Sequence, residues 1–184
     1  MHIDILIGLL IGWGVAAAAG EPALWLALLG ALAAVAPDAD FIVWLARHHW
    51  KTDQFVHEHR DLLHHPFLVS VIGGLGIALI YPLAGLVWCL ATLWHFIHDT
   101  FDGGWGIRWG SPWSGRYYML TGDRSLRSIS NREEQHILAA EHGNPQWSDE
   151  YLRPDKRKMM IYIFLIVLVA AVIWYLASGV QSTS

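Results

Sequence analysis

The apolar positions along the chain fall into five blocks. Ile3–Gly20 and Ala23–Ala36 part at Glu21-Pro22, and Phe67–Tyr81 and Leu83–Phe101 part at Pro82. Met159–Ala177 runs for 19 residues without a charge. A helix needs about 20 apolar residues to cross the hydrocarbon core, with ~17 as the usual lower limit. The last block meets that length. The second and third are short, as tilted, re-entrant or bundle-packed helices are. The first has no basic stretch ahead of its apolar run, so it reads as a retained helix rather than a signal peptide. The pattern predicts an all-α fold, a polytopic membrane helical bundle of about five transmembrane helices forming one domain over residues 1–184. A soluble all-helical fold is the alternative.

Pro37 is expected to end the second helix, because its ring removes a backbone donor and restricts the residue before it. The stretch 103–158 reads as a cytoplasmic loop region before the last helix. Within it, Gly103–Gly115 is rich in Gly and Trp and predicts interfacial turns. A helix is predicted over Asn131–His142, with Asn131 as N-cap and Glu133 and Glu134 in the first turn.

Charge adds an orientation. Of the 12 Lys and Arg, Arg47, Lys51 and Arg60 lie between the second and third blocks, and the rest, Arg108 to Lys158, lie between the fourth and fifth. Five spans with a cytoplasmic N-terminus put every one of them on the cytoplasmic side, as the positive-inside rule requires. Arg153–Lys158 serves as a topology signal in this reading. Composition agrees, since 54% of residues are hydrophobic and 15% charged, against about 25% charged in an average soluble domain. It excludes a disordered chain, a disulfide scaffold and a nucleic-acid-binding tail. Membrane lipids are the expected partners, and nucleic acid is not. The single cysteine, Cys89, reads as a buried inert thiol.

Histidine changes the picture most. Eight of the 11 histidines lie between His48 and His98. Imidazoles are expensive in an apolar protein unless they face a polar cavity or a metal. Four polar clusters converge on one membrane face: Pro37-Asp38-Ala39-Asp40; His59-Arg60 with His64-His65; His95, His98, Asp99 and Asp102; and, more weakly, His2 with Asp4. With His95 at zero on a helical wheel, His98 falls at about −60°, Asp99 at about +40° and Asp102 at about −20°. These four share one stripe, and His95 and Asp99 are i, i+4 neighbours. The pair suits a divalent ion or a metal-free His–Asp couple. Asp38 and Asp40 repel each other unless a cation or a proton intervenes, or they sit on a solvated helix end. His48, His49 and His57 read as surface histidines, and His136 and His142 as part of the amphipathic helix.

Jointly, three aspartates and three histidines from three segments meet at one depth. That mixture suits zinc, manganese or iron better than calcium, with zinc first. The number of donors exceeds one tetrahedral site, so two ions are an option, with Asp bridging.

The order of these motifs resembles that of the bacterial inner-membrane metal-dependent hydrolases of the YdjM-like type. The residues that carry the resemblance are Pro37-Asp38-Ala39-Asp40, His59-Arg60-Asp61-Leu62-Leu63-His64, His95-Phe96-Ile97-His98-Asp99 and the stretch Gly103–Pro112. The resemblance implies a multi-pass protein of the bacterial inner membrane with a metal-dependent hydrolase site, its metal residues being Asp38, Asp40, His59, His64, His95 and Asp99. Asp61 and His65 stand where the family commonly has Gly and Ser, and His65 is a candidate replacement or supplementary ligand. The expected function is hydrolysis of a phosphoester or ester of an amphiphilic substrate at the cytoplasmic interface, such as a phospholipid or isoprenoid phosphate. Asp40 or Asp102 would act as general base and Arg60 would stabilise developing negative charge. The alternative is a non-catalytic metal-binding membrane protein: a sensor, a transporter or an interaction protein. Transport is disfavoured, because the first, third and fifth blocks carry no acidic residue or histidine in their middles.

Overall fold

The computed structural model describes residues 2–53, 55–101, 104–121 and 125–143, together with Met160, Phe164 and Val167. Asp102 and nearly all of the predicted last span lie outside the described residues. The fold is mostly helical. Helix α1 covers His2–Ala19, α2 Ala23–Val35, α3 Ala39–Arg47, α4 Arg60–Leu63, α5 Gly73–Ala78, α6 Pro82–Phe101 and α7 Arg132–His142.

Gly20 closes α1 at φ +69°, with Glu21 N–H donating to Ala16 O and Gly20 N–H to Ala17 O. This is a Schellman closure, for which glycine carries no Cβ penalty. Pro22 then opens α2. The two helices run against each other with their backbones nearly touching. A Cβ on Gly12 would lie 2.0 Å from Leu26 O, and one on Gly30 2.0 Å from Gly8 O. Small residues at such spacing permit the close approach that membrane helices use in place of a hydrophobic drive. Helices α5 and α6 repeat the device, since a Cβ on Gly85 would meet Gly74 O at 2.4 Å.

The regular helix α2 ends at Val35, just before Pro37 as expected, but the helical path does not stop there. Residues Ala36–Asp38 form a 3-10 turn, held by Ala36 N–H to Ala33 O and Ala39 N–H to Ala36 O. A 3-10 turn absorbs a missing donor without stopping the chain's advance. The helical run therefore continues into α3, and Ala23–Arg47 counts as one apolar helix of 25 residues. Among the described residues, two helices are long and apolar enough to cross a membrane, His2–Ala19 and Ala23–Arg47. A third span follows if the pair Val56–Leu63 and Phe67–Ala78, bent by 49°, is counted as one. The described residues thus give two or three of the five expected spans, and the predicted last one lies outside them. Helix α6 is long enough, but His95, His98 and Asp99 fill its last two turns.

The expectation of an all-α chain is corrected by a small antiparallel hairpin, β1 (Tyr117–Leu120) with β2 (Leu126–Ile129), in register Tyr117 to Ile129 and Leu120 to Leu126. Alternate residues of β1 are buried. Tyr117, Met119 and Ile129 join Trp105 and Ala139 of α7 in a separate apolar core. Helix α7 begins as expected, with the Asn131 side chain accepting from Glu134 N–H at 2.7 Å. Cys89 is half-buried rather than buried, at the close approach of α6 to Gly74 of α5.

Candidate metal centre

Two backbone irregularities and one regular helix aim the polar side chains inward. The 3-10 turn at Ala36–Asp38 directs Asp38 and Asp40 into the protein. A further 3-10 turn, Val56–His59, runs into the four-residue α4 and carries His59, Arg60 and His64. Helix α6 brings His95 and Asp99 on successive turns. His59, Arg60, His64, His95, Asp40 and Asp99 are all at most 5% exposed.

These side chains form two overlapping groups of metal-binding size: Asp38, His64, His95 and Asp99; and Asp40, His59 and His64. In the first, His64 Nε2 lies 3.7 Å from Asp38 Oδ1, 3.1 Å from Asp99 Oδ2 and 3.3 Å from His95 Nε2. His95 Nε2 lies 3.5 Å from Asp38 Oδ1 and 3.3 Å from Asp99 Oδ2. A tetrahedron with bonds of about 2.0–2.1 Å to its centre has edges of about 3.3–3.4 Å. The separations scatter around that edge.

The protons on the rings point the same way. His64 Nδ1 donates to Asp40 Oδ2 at 3.1 Å, and His59 Nδ1 donates to Val56 O at 2.6 Å. Each ring, when neutral, then has its lone pair on Nε2, facing Asp38 Oδ1. Lone pairs of nitrogen and oxygen that converge on one point need a cation or protons between them. The donor set therefore fits a divalent ion, and the carboxylate–histidine pairing of Asp40 with His64 is the arrangement that orients metal ligands elsewhere.

Asp40 accepts from Leu63 N–H at 2.9 Å as well as from His64, both on Oδ2, while its Oδ1 is buried without a hydrogen bond and 3.9 Å from His59 Nε2. Arg60 is buried and committed to Asp99, with Nε 3.2 Å from Asp99 Oδ2 and Nη1 3.4 Å from the Asp99 carbonyl oxygen. Its position is thus behind one candidate ligand. His65 turns away from the cage: its Nδ1 lies 2.8 Å from Ser111 Oγ and its Nε2 3.3 Å from Asp61 O. Asp4 is fully buried and pairs with His98 at 3.0 Å, tying α1 to α6 apart from the cage. His57, expected at the surface, is 1% exposed, because the turn that carries His59 also buries it.

Sequence reasoning missed a second polar node. Asp61 accepts from Trp105 Nε1 at 2.9 Å, from Tyr117 Oη at 2.6 Å and from Arg132, which also reaches Glu58. These contacts pin the hairpin and α7 onto α4, one residue from Arg60. Burial pushes the Tyr117 phenol up from its usual value, and its bond to Asp61 adds to that shift. Burial works against the Arg132 charge, but the hydrogen bond and field of Asp61 outweigh it and raise its pKa further. Trp and Tyr donors in a Gly-rich loop were the available signal, and only the fold could show their common acceptor.

The arrangement defines a class: a helical protein with membrane-length apolar helices and a buried His/Asp cage at their ends. The family comparison agrees with that class and makes it specific. The model of the YdjM inner membrane protein family matches residues 2–181, so the chain belongs to that family. No match was found among curated proteins or among solved structures. The family and the apolar helices together make this a membrane protein.

Proposed function

We propose that the protein is a multi-pass, metal-dependent hydrolase of the bacterial inner membrane. Its N-terminus and the hairpin region lie on the cytoplasmic side, and it acts on a phosphoester or ester of an amphiphilic substrate. The observation that carries this reading is the set of donor separations of 3.1–3.7 Å among Asp38, His64, His95 and Asp99.

Zinc would supply Lewis acidity there and lower the pKa of a bound water to about 7. Asp38, His64, His95 and Asp99 would hold the ion, and His59 with Asp40 Oδ1 would offer a second position. Asp40 keeps His64 in the tautomer that leaves Nε2 open. With that second position unfilled, Asp40 Oδ1, which makes no hydrogen bond, would serve as general base. Arg60 fixes Asp99 and offsets the charge of the three aspartates. Asp102, three residues after Asp99 in the sequence and outside the described residues, is the alternative base.

The test is metal analysis of detergent-purified protein beside Asp38→Ala and His95→Ala, followed by a screen of lipid phosphoesters and esters with zinc, manganese and iron. Stoichiometric metal in the wild type, lost in both variants, is expected. Unchanged metal in both variants removes the site. Bound metal without cleavage of any substrate leaves a binding protein. Orientation is checked separately with a cysteine at Arg116, which a membrane-impermeant reagent should label only from the cytoplasmic side.

A further inference from the structure

Beside the cage lies a cavity of about 360 Å³. Asp40, Trp44 and Arg47 line it from α3, and His59 and Leu62 from the segment around α4. Asp40, Trp44 and Arg47 are spaced four and three apart, so they share one stripe of the helix. Seven residues put Arg47 about 10.5 Å along the axis from Asp40.

The two ends of this stripe differ in chemistry. At one end stand the buried Asp40 Oδ1, which has no hydrogen bond, and His59 Nε2, 3.9 Å away. This end belongs to the second metal-sized group. At the other end stands Arg47, exposed to solvent. Arg132 also lines the cavity, but Glu58 and Asp61 both engage it. Among the described residues, Arg47 is the cation of the lining that no carboxylate neutralises.

The rest of the lining is mixed: His48 is polar, the carboxylates of Glu58 and Asp61 are held by Arg132, and Val43 with Leu62 forms an apolar flank that faces outward. Val43 and Leu62 line the cavity while 41% and 55% exposed. Ile42, beside Val43, is 60% exposed. All but Leu62 continue the apolar helix Ala23–Arg47. A ligand here meets a metal-binding edge, a free guanidinium and an apolar flank open to the side.

We propose that this cavity receives the phosphorylated head of a membrane lipid. The phosphate lies between the Asp40/His59 end and Arg47, and the acyl chains leave over Val43 and Leu62. Arginine suits this task because its planar fork binds phosphate oxygens in pairs. The inference rests on the hydrolase reading and narrows its substrate to lipid phosphate esters.

The experiment is calorimetric titration of zinc-supplemented, detergent-purified full-length protein with dihexanoyl phosphatidate, a lipid phosphate soluble as a monomer. A parallel titration uses inorganic phosphate, and both are repeated on Arg47→Ala, with zinc content measured on every sample. Saturable binding of the phosphatidate, at least about tenfold tighter than inorganic phosphate, is expected. Arg47→Ala should weaken it by about tenfold or more, as loss of a charged hydrogen bond does, with zinc content unchanged. Equal affinity in Arg47→Ala overturns the proposal, as does inorganic phosphate binding as tightly as the lipid. A zinc-loaded protein that does not bind the phosphatidate overturns the cavity assignment and leaves the hydrolase reading standing. Arg47-dependent binding to protein that takes up no zinc does the reverse.

Discussion

Replacing Asp40 by Asn separates orientation of a metal ligand from ligation itself. In the native protein, Asp40 Oδ2 takes both the Leu63 N–H, at 2.9 Å, and the His64 Nδ1 proton, at 3.1 Å. An Asn side chain has one carbonyl oxygen and one NH2 group to offer these two donors. If its oxygen takes the Leu63 N–H, the NH2 faces His64 Nδ1. The imidazole proton must then move to Nε2, the atom 3.1 Å from Asp99 Oδ2 and 3.3 Å from His95 Nε2. If its oxygen instead keeps the His64 bond, the Leu63 amide loses its acceptor, at a cost of about 1–3 kcal/mol. Either outcome weakens the cage without deleting one of its four donors. Loss of such a supporting partner typically lowers metal affinity by about 10–100-fold, which is about 1.4–2.7 kcal/mol.

The assay is zinc competition against a chelator of known affinity, run on wild type, Asp40→Asn and His95→Ala in one detergent. Circular dichroism confirms that helix content is kept. The Asn variant should fall between the other two. Affinity within twofold of wild type would refute the orienting role of Asp40. A loss as large as that in His95→Ala, with one ion fewer bound, would make Asp40 a direct ligand of a second ion.

Three other outcomes follow from the structure. Chelation should lower thermal stability, because the ion links α2–α3, α4 and α6; at free zinc 100-fold above Kd the ligand contributes about 2.7 kcal/mol, and an unchanged melting temperature with EDTA would deny that link. Gly12→Val should destabilise the α1–α2 pair, because its Cβ would lie 2.0 Å from Leu26 O; overpacking of this kind costs about 1–3 kcal/mol or more, readable as early aggregation on heating in detergent, with Gly14→Val, where a Cβ meets nothing within 4 Å, as the control. Asp61→Ala should release the hairpin and α7 from α4, leaving Trp105 Nε1 and Tyr117 Oη without their acceptor, so residues 104–143 should become sensitive to limited proteolysis while zinc content holds; equal protease resistance would show that the apolar core around Met119 and Ile129 suffices.

The parts of the fold that depend on local pattern were legible. The apolar blocks locate α1, α2 and α6, and Asn131 with its following glutamates locates α7. The approach of Asp38, Asp40, His59, His64, His95 and Asp99 also follows from pattern, since helix ends at a shared depth are brought to one level whatever their spacing in sequence. Three features were not legible, each for a physical reason. Pro37 normally stops a helix, but one 3-10 turn carries the chain past it. The hairpin at Tyr117–Leu120 and Leu126–Ile129 has aromatic, alternating residues around a turn, a strand signal that the surrounding Gly and Trp obscured. The Asp61 node depends on contacts across 44, 56 and 71 positions, which no local period encodes.

These irregularities bear on why the site lies where it does. A straight span has all its backbone groups paired along its own axis, so it has little use for polar side chains in mid-helix. Non-helical backbone near membrane depth is tolerated only where protein buries it or water reaches it. The 3-10 turn before α3, the turn leading into α4 and the end of α6 place three such points together. Each exposes backbone or side-chain groups that must be satisfied, and the leftover donors and acceptors satisfy one another: Leu63 N–H to Asp40, His59 Nδ1 to Val56 O, Arg60 Nη1 to Asp99 O. What those bonds leave over is a set of lone pairs on Asp38 Oδ1, Asp99 Oδ2 and the ring nitrogens, pointing at one another across 3.1–3.7 Å. Removing the cation should therefore be felt first at the breaks in the helices. Amide hydrogen exchange at Asp38, His59 and Leu63 should accelerate on chelation well before that of α1 or the middle of α2. Uniform acceleration across all helices would mean that the ion holds the whole bundle together and not these junctions.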